Sequence, residues 1–212
     1  MPMSDLSELE YLETQSGDNP VGTVIWLHGL GADATDFEPI VPMLGCPDTR
    51  FVFPHAPRRA VTINMGFVMP SWYDIRSLEP GANRESEAEI DESAAMIEAL
   101  IAREYERGIS PDKLIIAGFS QGGAMALHVG LRHPKTVAGI MVLSAYALVE
   151  ARLQAEAHAA NRNTPFFFGH GTHDDVVRID RGRHAHALVA HDDRETIFKS
   201  YPMAHQVCPE QI

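Results

Sequence analysis

Short apolar runs alternate with helix-period stretches along almost the whole chain, and few architectures accept that alternation. Residues 21–27, 50–53, 113–119, 137–143, 165–168 and 195–201 read as strands. Most are apolar on both sides of the pleat, as strands of a covered parallel sheet are. Between them, residues 36–44, 121–132, 149–160 and 178–190 read as helices. The clearest helix carries Ile90, Ala94, Ile97, Ile101 and Tyr105 as one stripe of a 3.6-residue period, with Asn83 or Ser86 to cap it and Gly108 to end it. Strand–helix alternation of this kind predicts an α/β chain with a mostly parallel central sheet and helices on both faces. Residues 8–14 fit an added antiparallel edge strand. Residues 56–81 read as irregular, and so long a loop in a compact domain is usually functional or a lid.

Composition agrees with a single domain. A chain of 212 residues, 45% apolar and 22% charged, can bury roughly 70% of its unfolded surface, so it needs no disulfide or metal staple. The net charge of −12, from 17 basic and 29 acidic residues, lacks the basic face that nucleic acid demands and does not suit anionic lipid. Apolar runs such as Leu114 to Ala117 fall far short of the roughly 18 residues of a membrane span. The acidic stretch 1–10 has no apolar core of a secretory signal, and two cysteines, Cys46 and Cys208, make no disulfide framework. Both observations predict a cytoplasmic protein.

The strongest chemical signal is Gly118-Phe119-Ser120-Gln121-Gly122, a G-x-S-x-G pattern between a buried strand and a helix. A nucleophilic serine needs that context, because it sits on a sharp strand-to-helix turn that admits no bulk beside it. The nucleophile also needs a base and a group to orient the base. In strand–nucleophile–helix hydrolases the chain order is Ser, acid, His. The acid is then expected in the loop after strand 165–168, where Asp174 and Asp175 both qualify. Of the 11 histidines, His184, His186 and His191 lie on or beside the last helix, whereas His205 lies in a loop after a strand and is favoured as the base. The backbone N–H groups of Gln121 and Leu30 are the expected oxyanion donors, the latter from the His28-Gly29-Leu30-Gly31 loop.

These blocks resemble the small carboxylesterase and acyl-protein thioesterase family of α/β-hydrolases, also described as the phospholipase/carboxylesterase family. The resemblance rests on Leu27-His28-Gly29-Leu30-Gly31, Pro70-Ser71-Trp72-Tyr73-Asp74, Gly118-Phe119-Ser120-Gln121-Gly122-Gly123 and Tyr201-Pro202-Met203-Ala204-His205. His170-Gly171 with Asp174-Asp175-Val176-Val177 is similar to the family's acid loop. The resemblance implies an α/β-hydrolase fold, with Asp174 as the triad acid where the family commonly has Pro at the position of Asp175. It implies hydrolysis of esters or thioesters of short-to-medium acyl chains through an acyl-enzyme, with no cofactor and a small ester or acylated molecule as partner. It is compatible with a homodimer. It also implies a shallow apolar groove, for which Met65, Phe67, Val68, Met69 and Val177 are candidate lining residues. A last helix follows the catalytic His loop in the family. Only seven residues follow His205, so the chain is expected to stop before that helix.

Other signals weigh less. His170-x-x-His173-Asp174 and the His184, His186, His191 cluster have metal-like spacing, but a catalytic zinc needs about three converging ligands, and no metal is expected. Cys208 has no base oriented toward it, and Trp72 with Tyr73 reads as loop packing rather than a base-stacking platform. Two alternatives stand beside the esterase reading: a lysophospholipase on single-chain lipids, and a non-catalytic binding protein. An intact Ser120, Asp174 and His205 set argues against the latter.

Overall fold

The computed structural model describes residues 9–77 and 84–211. Its strands in chain order are β1 (Tyr11–Ser16), β2 (Gly22–Leu27), β3 (Thr49–Pro54), β4 (Arg58–Val61), β5 (Phe67–Pro70), β6 (Leu114–Phe119), β7 (Gly139–Leu143), β8 (Phe166–Gly171) and β9 (Thr196–Tyr201). Seven of them form one sheet in the order β1-β3-β2-β6-β7-β8-β9, and β4 pairs with β5 apart from it. Every pairing in the large sheet is parallel except β1 with β3. The edge strand therefore exists, beginning three and ending two residues beyond the expected 8–14, of which Glu8 lies outside the described residues.

Alternation along the strands builds two cores. Ile25 and Leu27 of β2 face one side, while Val24 and Trp26 face the other. The first side receives α1 (Glu87–Glu106), α2 (Gln121–Arg132), α3 (Glu150–Glu156) and α4 (Ile179–Val189). Ile90, Ile97 and Ile101 of the expected stripe are fully buried there. The second side is covered more thinly, by Phe37 and Val41 around a 3-10 segment, Glu38–Met43. A helix was expected at 36–44. Pro39 and Pro42 withhold two backbone donors, and the segment settles into short 3-10 turns instead.

Two further expectations are revised. The helix expected at 149–160 stops at Glu156. Ala157 turns extended, and a second short turn delivers Asn161 inward, where its amide donates to His133 O (2.7 Å) and Lys135 O (2.9 Å) and its Oδ1 accepts from Val137 N–H (3.0 Å). Those buried bonds outweigh the Ala-rich propensity of the segment. The stretch read as irregular contains the β4–β5 hairpin, turned by Met65 and Gly66 at positive φ; its end near Pro80 and Gly81, like the capping candidate Asn83, lies outside the described residues. Ser86 does precede α1 but makes no side-chain cap.

An ionic network pins the edge. Glu104 of α1, fully buried, accepts from Thr23 Oγ1 (2.9 Å), Arg50 Nη1 (2.8 Å) and Arg103 Nη2 (2.9 Å). Arg107 joins Glu104 to Glu13 of β1. Burial alone would raise the Glu104 pKa, but these donors outweigh it and hold the carboxyl below its ordinary range.

Strand β2 lies between β3, which follows it in the chain, and β6, which comes much later. That reversal is the topological switch point, where open α/β sheets form their sites beyond the carboxyl ends of the strands. The segments that follow β2, β6, β8 and β9 all leave that edge.

Helix α2 is buried along nearly its whole length, His128 included. Burial, with the Arg132 charge adding to it, pushes the His128 imidazole down to about 4; burial also lowers His28 and His170. The unfolded chain takes up these protons near an ordinary pH of about 6.5 and the folded chain does not. Stability is therefore complete above about pH 6.5 and is lost progressively as pH falls toward 4, by about 3 kcal/mol for His128 at most. Urea midpoints measured across this range should fall with pH, and more shallowly in His128→Gln.

Candidate active site

The site begins at the turn between β6 and α2. Ser120 holds φ 53° and ψ −120°, a conformation that non-glycine residues rarely adopt. Its N–H is tied to Leu143 O of β7 at 2.8 Å and its C=O accepts from Ala124 N–H at 3.0 Å. The turn is possible because Gly122 presses on the end of β2. A β-carbon on residue 122 would stand 2.2 Å from Leu27 O.

The loops after β8 and β9 are joined by backbone bonds, Thr172 N–H to Tyr201 O (2.8 Å) and His173 N–H to Met203 O (3.0 Å). Gly171 permits this approach, since a β-carbon there would meet Met203 O and Ala204 O at 2.4 Å. Asp174 is thus held buried against His205, while Asp175 points into solvent.

Three of the residues singled out in the sequence meet here. His205 lies 85 positions from Ser120 and 31 from Asp174. Its Nε2 is 2.9 Å from Ser120 Oγ and its Nδ1 2.7 Å from Asp174 Oδ2. Asp174 Oδ1 already accepts from Val176 N–H (3.0 Å) and Val177 N–H (2.8 Å). A carboxylate can only accept, so Nδ1 carries the proton and Nε2 is left to accept from the serine hydroxyl. The Phe119 ring packs 4.8 Å from the His205 ring and fixes its plane.

The Leu30 loop is built as firmly. Ala56 N–H donates to His28 Nε2 at 3.0 Å, so His28 Nδ1 is the protonated nitrogen and donates to Gly29 O at 2.7 Å. Burial lowers the His28 pKa, which keeps this tautomer neutral. Trp72 Nε1 donates to His28 O (2.9 Å), and Gly31 N–H to Pro70 O (2.9 Å). The Gln121 side chain holds the same Trp72–Tyr73 block, accepting from Trp72 N–H (2.8 Å) and donating to Tyr73 O (2.7 Å). As the first residue of α2, Gln121 has a backbone N–H without an intrahelical acceptor. Trp72 and Tyr73 are fully buried, as packing residues.

A cavity of about 250 Å³ opens beside Ser120 and His205, with Leu30, Gln121 and Val177 in its wall. The other expected lining residues do not reach it. Met65, Phe67 and Val68 stand exposed on the β4–β5 hairpin, Met65 almost completely, and Met69 packs near Gly31 and Asn64. Hairpin pairing leaves these residues outside the cavity wall, and pattern in a segment read as irregular could not show that. The actual wall includes Ile75, Tyr146, Arg84 and Arg181, which the sequence did not mark. One signal was present: Arg181 sits in the first turn of α4, where a cation opposes the helix dipole.

Four further histidines have separate partners. His170 Nε2 donates to Val177 O (2.7 Å), which braces the acid loop. His184 meets Glu150 (2.7 Å), His191 meets Arg162 O (2.8 Å), and His186 stacks edge-on to Phe168. No group of three metal-binding side chains occurs among the described residues.

With this geometry in view, comparison with known proteins is decisive. The phospholipase/carboxylesterase family profile matches residues 9–212. The chain belongs to that family. It is 33% identical to acyl-protein thioesterase 1 of Mycosarcoma maydis over 95% of this chain and 91% of that one. Acyl-protein thioesterase 1 of Saccharomyces cerevisiae is 35% identical over 90% and 88%. The crystal structure of Arabidopsis thaliana SOBER1 superposes with a TM-score of 0.82 at 31% identity, covering 90% of this chain and 93% of that one. The phospholipase/carboxylesterase fold of the chain is therefore an α/β-hydrolase with a mostly parallel seven-stranded sheet.

Gln121→Ala should leave Trp72 N–H buried without a partner and strip Tyr73 C=O of one of its two donors, the Ser71 hydroxyl remaining. A loss on the order of 3 kcal/mol in unfolding free energy is expected, read from urea unfolding.

Proposed function

We propose that the protein is a cytoplasmic serine hydrolase that cleaves carboxylic esters or thioesters of short-to-medium acyl chains. The observation that carries this reading is the continuous hydrogen-bond line from Ser120 Oγ through His205 to Asp174. Family membership supports the reaction class. The two free cysteines suit a reducing compartment, and no helix among the described residues is long and apolar enough to cross a membrane.

In this reading Ser120 Oγ attacks the acyl carbonyl as His205 Nε2 takes its proton. Negative charge then develops on the carbonyl oxygen, where the N–H groups of Leu30 and Gln121 donate to it. The bond to the alcohol or thiol breaks, and His205 returns the proton to that leaving group. Water, deprotonated by the same imidazole, attacks the acyl-serine, releasing the acid and restoring Ser120. Asp174 stays ionised throughout and holds the imidazole in the Nδ1–H tautomer. The cavity volume, near the lower end of small-molecule sites, supports short-to-medium acyl groups over long ones.

A series of aryl esters of graded chain length tests this. Wild-type protein should hydrolyse the shorter members fastest and Ser120→Ala none above the uncatalysed rate. A wild type no faster than Ser120→Ala sinks the proposal. Asp174→Asn should lower kcat by about 10⁴-fold while leaving the fold intact by circular dichroism. A fluorophosphonate should add one adduct mass to wild type and none to Ser120→Ala.

A further inference from the structure

One wall of the cavity carries two guanidinium groups with no close carboxylate among the described residues. Arg84 and Arg181 both line it, together with Ser120 and His205. Each guanidinium reaches a single carboxylate oxygen, Glu85 Oε1, and each only at 4.0 Å. That distance is beyond hydrogen bonding. Neither guanidinium makes a hydrogen bond among the described residues, and the Arg84 Nε atom is buried without a partner. Arg181 Cζ sits over the Tyr146 ring, 3.6 Å from its centroid, and Tyr146 is itself locked by its hydroxyl to Tyr73 at 2.9 Å. Stacking fixes the plane of the guanidinium and leaves its edge, with the N–H donors, open.

Two cations thus share one distant anion, and burial makes that anion harder to ionise, raising the Glu85 pKa. Burial likewise pushes the Arg181 pKa below its ordinary value. Among the described residues the cavity wall has one carboxylate of its own, Asp36, on the loop after β2. The ionisable groups that act on Asp36 are His28 and Asp33, whereas those acting on Arg181 include Tyr146, Arg84, Glu85 and Tyr73. No ion pair joins Asp36 to Arg84 or Arg181 among the described residues. Unfilled donors of this kind, lining the same cavity as Ser120, form a receptor for an acceptor-only group with a planar pair of oxygens.

We propose that Arg84 and Arg181 select substrates that carry a carboxylate in addition to the ester or thioester that is cut. The proposal rests on the hydrolase reading above and adds the substrate class: half-esters of dicarboxylic acids, or esters whose leaving group bears a carboxylate. The additional carboxylate takes no part in the bond changes at Ser120. It anchors the substrate between the two guanidinium edges so that the scissile carbonyl meets Ser120 Oγ. Arg84 and Arg181 are positioning and specificity residues in this scheme.

The test compares matched substrates by proton release. Monoethyl esters of dicarboxylic acids are set against ethyl esters of monocarboxylic acids of equal chain length. Acetate esters of ω-hydroxy acids are set against acetates of the equal-length alcohols. For at least one pair, wild type should favour the carboxylate-bearing member in kcat/KM by roughly ten- to a hundredfold, the usual worth of a hydrogen bond to a charged group. In Arg181→Gln and Arg84→Gln that ratio should fall about tenfold or more, mainly through KM. Arg178→Gln, an exposed arginine at the start of the same helix and outside the cavity wall, should leave the ratio unchanged. A purely structural role would lower both members of a pair alike, and an unchanged ratio overturns the proposal. So does a wild type that prefers the uncharged member of every pair, a result that needs no variant to fold. If wild type cleaves neither member faster than Ser120→Ala, the hydrolase reading itself has failed, which is a separate outcome.

Discussion

The contact between Gly122 and the carbonyl of Leu27 is the constraint on which the rest of the site depends. Helix α2 can start against the end of β2 only because residue 122 has no β-carbon. That approach forces the chain to turn sharply at Ser120 and leaves its φ at 53°. The strain is held by the buried helix and by the tie from Ser120 N–H to Leu143 O. The same approach brings two open backbone donors, at Leu30 and Gln121, to one cavity with the hydroxyl. The Ser120 hydroxyl and two backbone donors are thus brought together by one packing event.

Orientation of the base follows the same logic on neighbouring strands. Parallel pairing of β8 with β9 puts their loops side by side, and Gly171 lets them touch. Asp174, which can only accept, takes bonds from Val176, Val177 and His205. The imidazole consequently has one tautomer available. On the other flank, the Trp72–Tyr73 block clamps both the Gln121 side chain and the Leu30 loop. A segment without periodic pattern therefore does structural service at the centre of the molecule.

Much of the architecture was legible in the chain. Strands β2, β6 and β8 and helices α1, α2 and α4 follow from apolar runs and a 3.6-residue stripe, because burial against a sheet requires those periods. The three residues that meet at the site were legible too, since a nucleophile turn has strict local demands and chain order then narrows its partners. Pattern failed where tertiary contacts outvoted propensity. Asn161 is pulled inward by three backbone partners and ends the expected helix early. The apolar residues of 65–69 lie on an outward hairpin whose pairing partner, β4, has no apolar signature of its own.

By itself the sequence determined the strand–helix alternation, the sharp turn at Ser120 and the identity of the groups that can exchange a proton, because these depend on local sterics and side-chain chemistry. Tertiary structure alone decided which of Asp174 and Asp175 faces His205, which wall residues surround the serine, and that two arginines from distant segments share one carboxylate. Those outcomes depend on through-space distance, and residues far apart in the chain acquire a distance only when the sheet assembles.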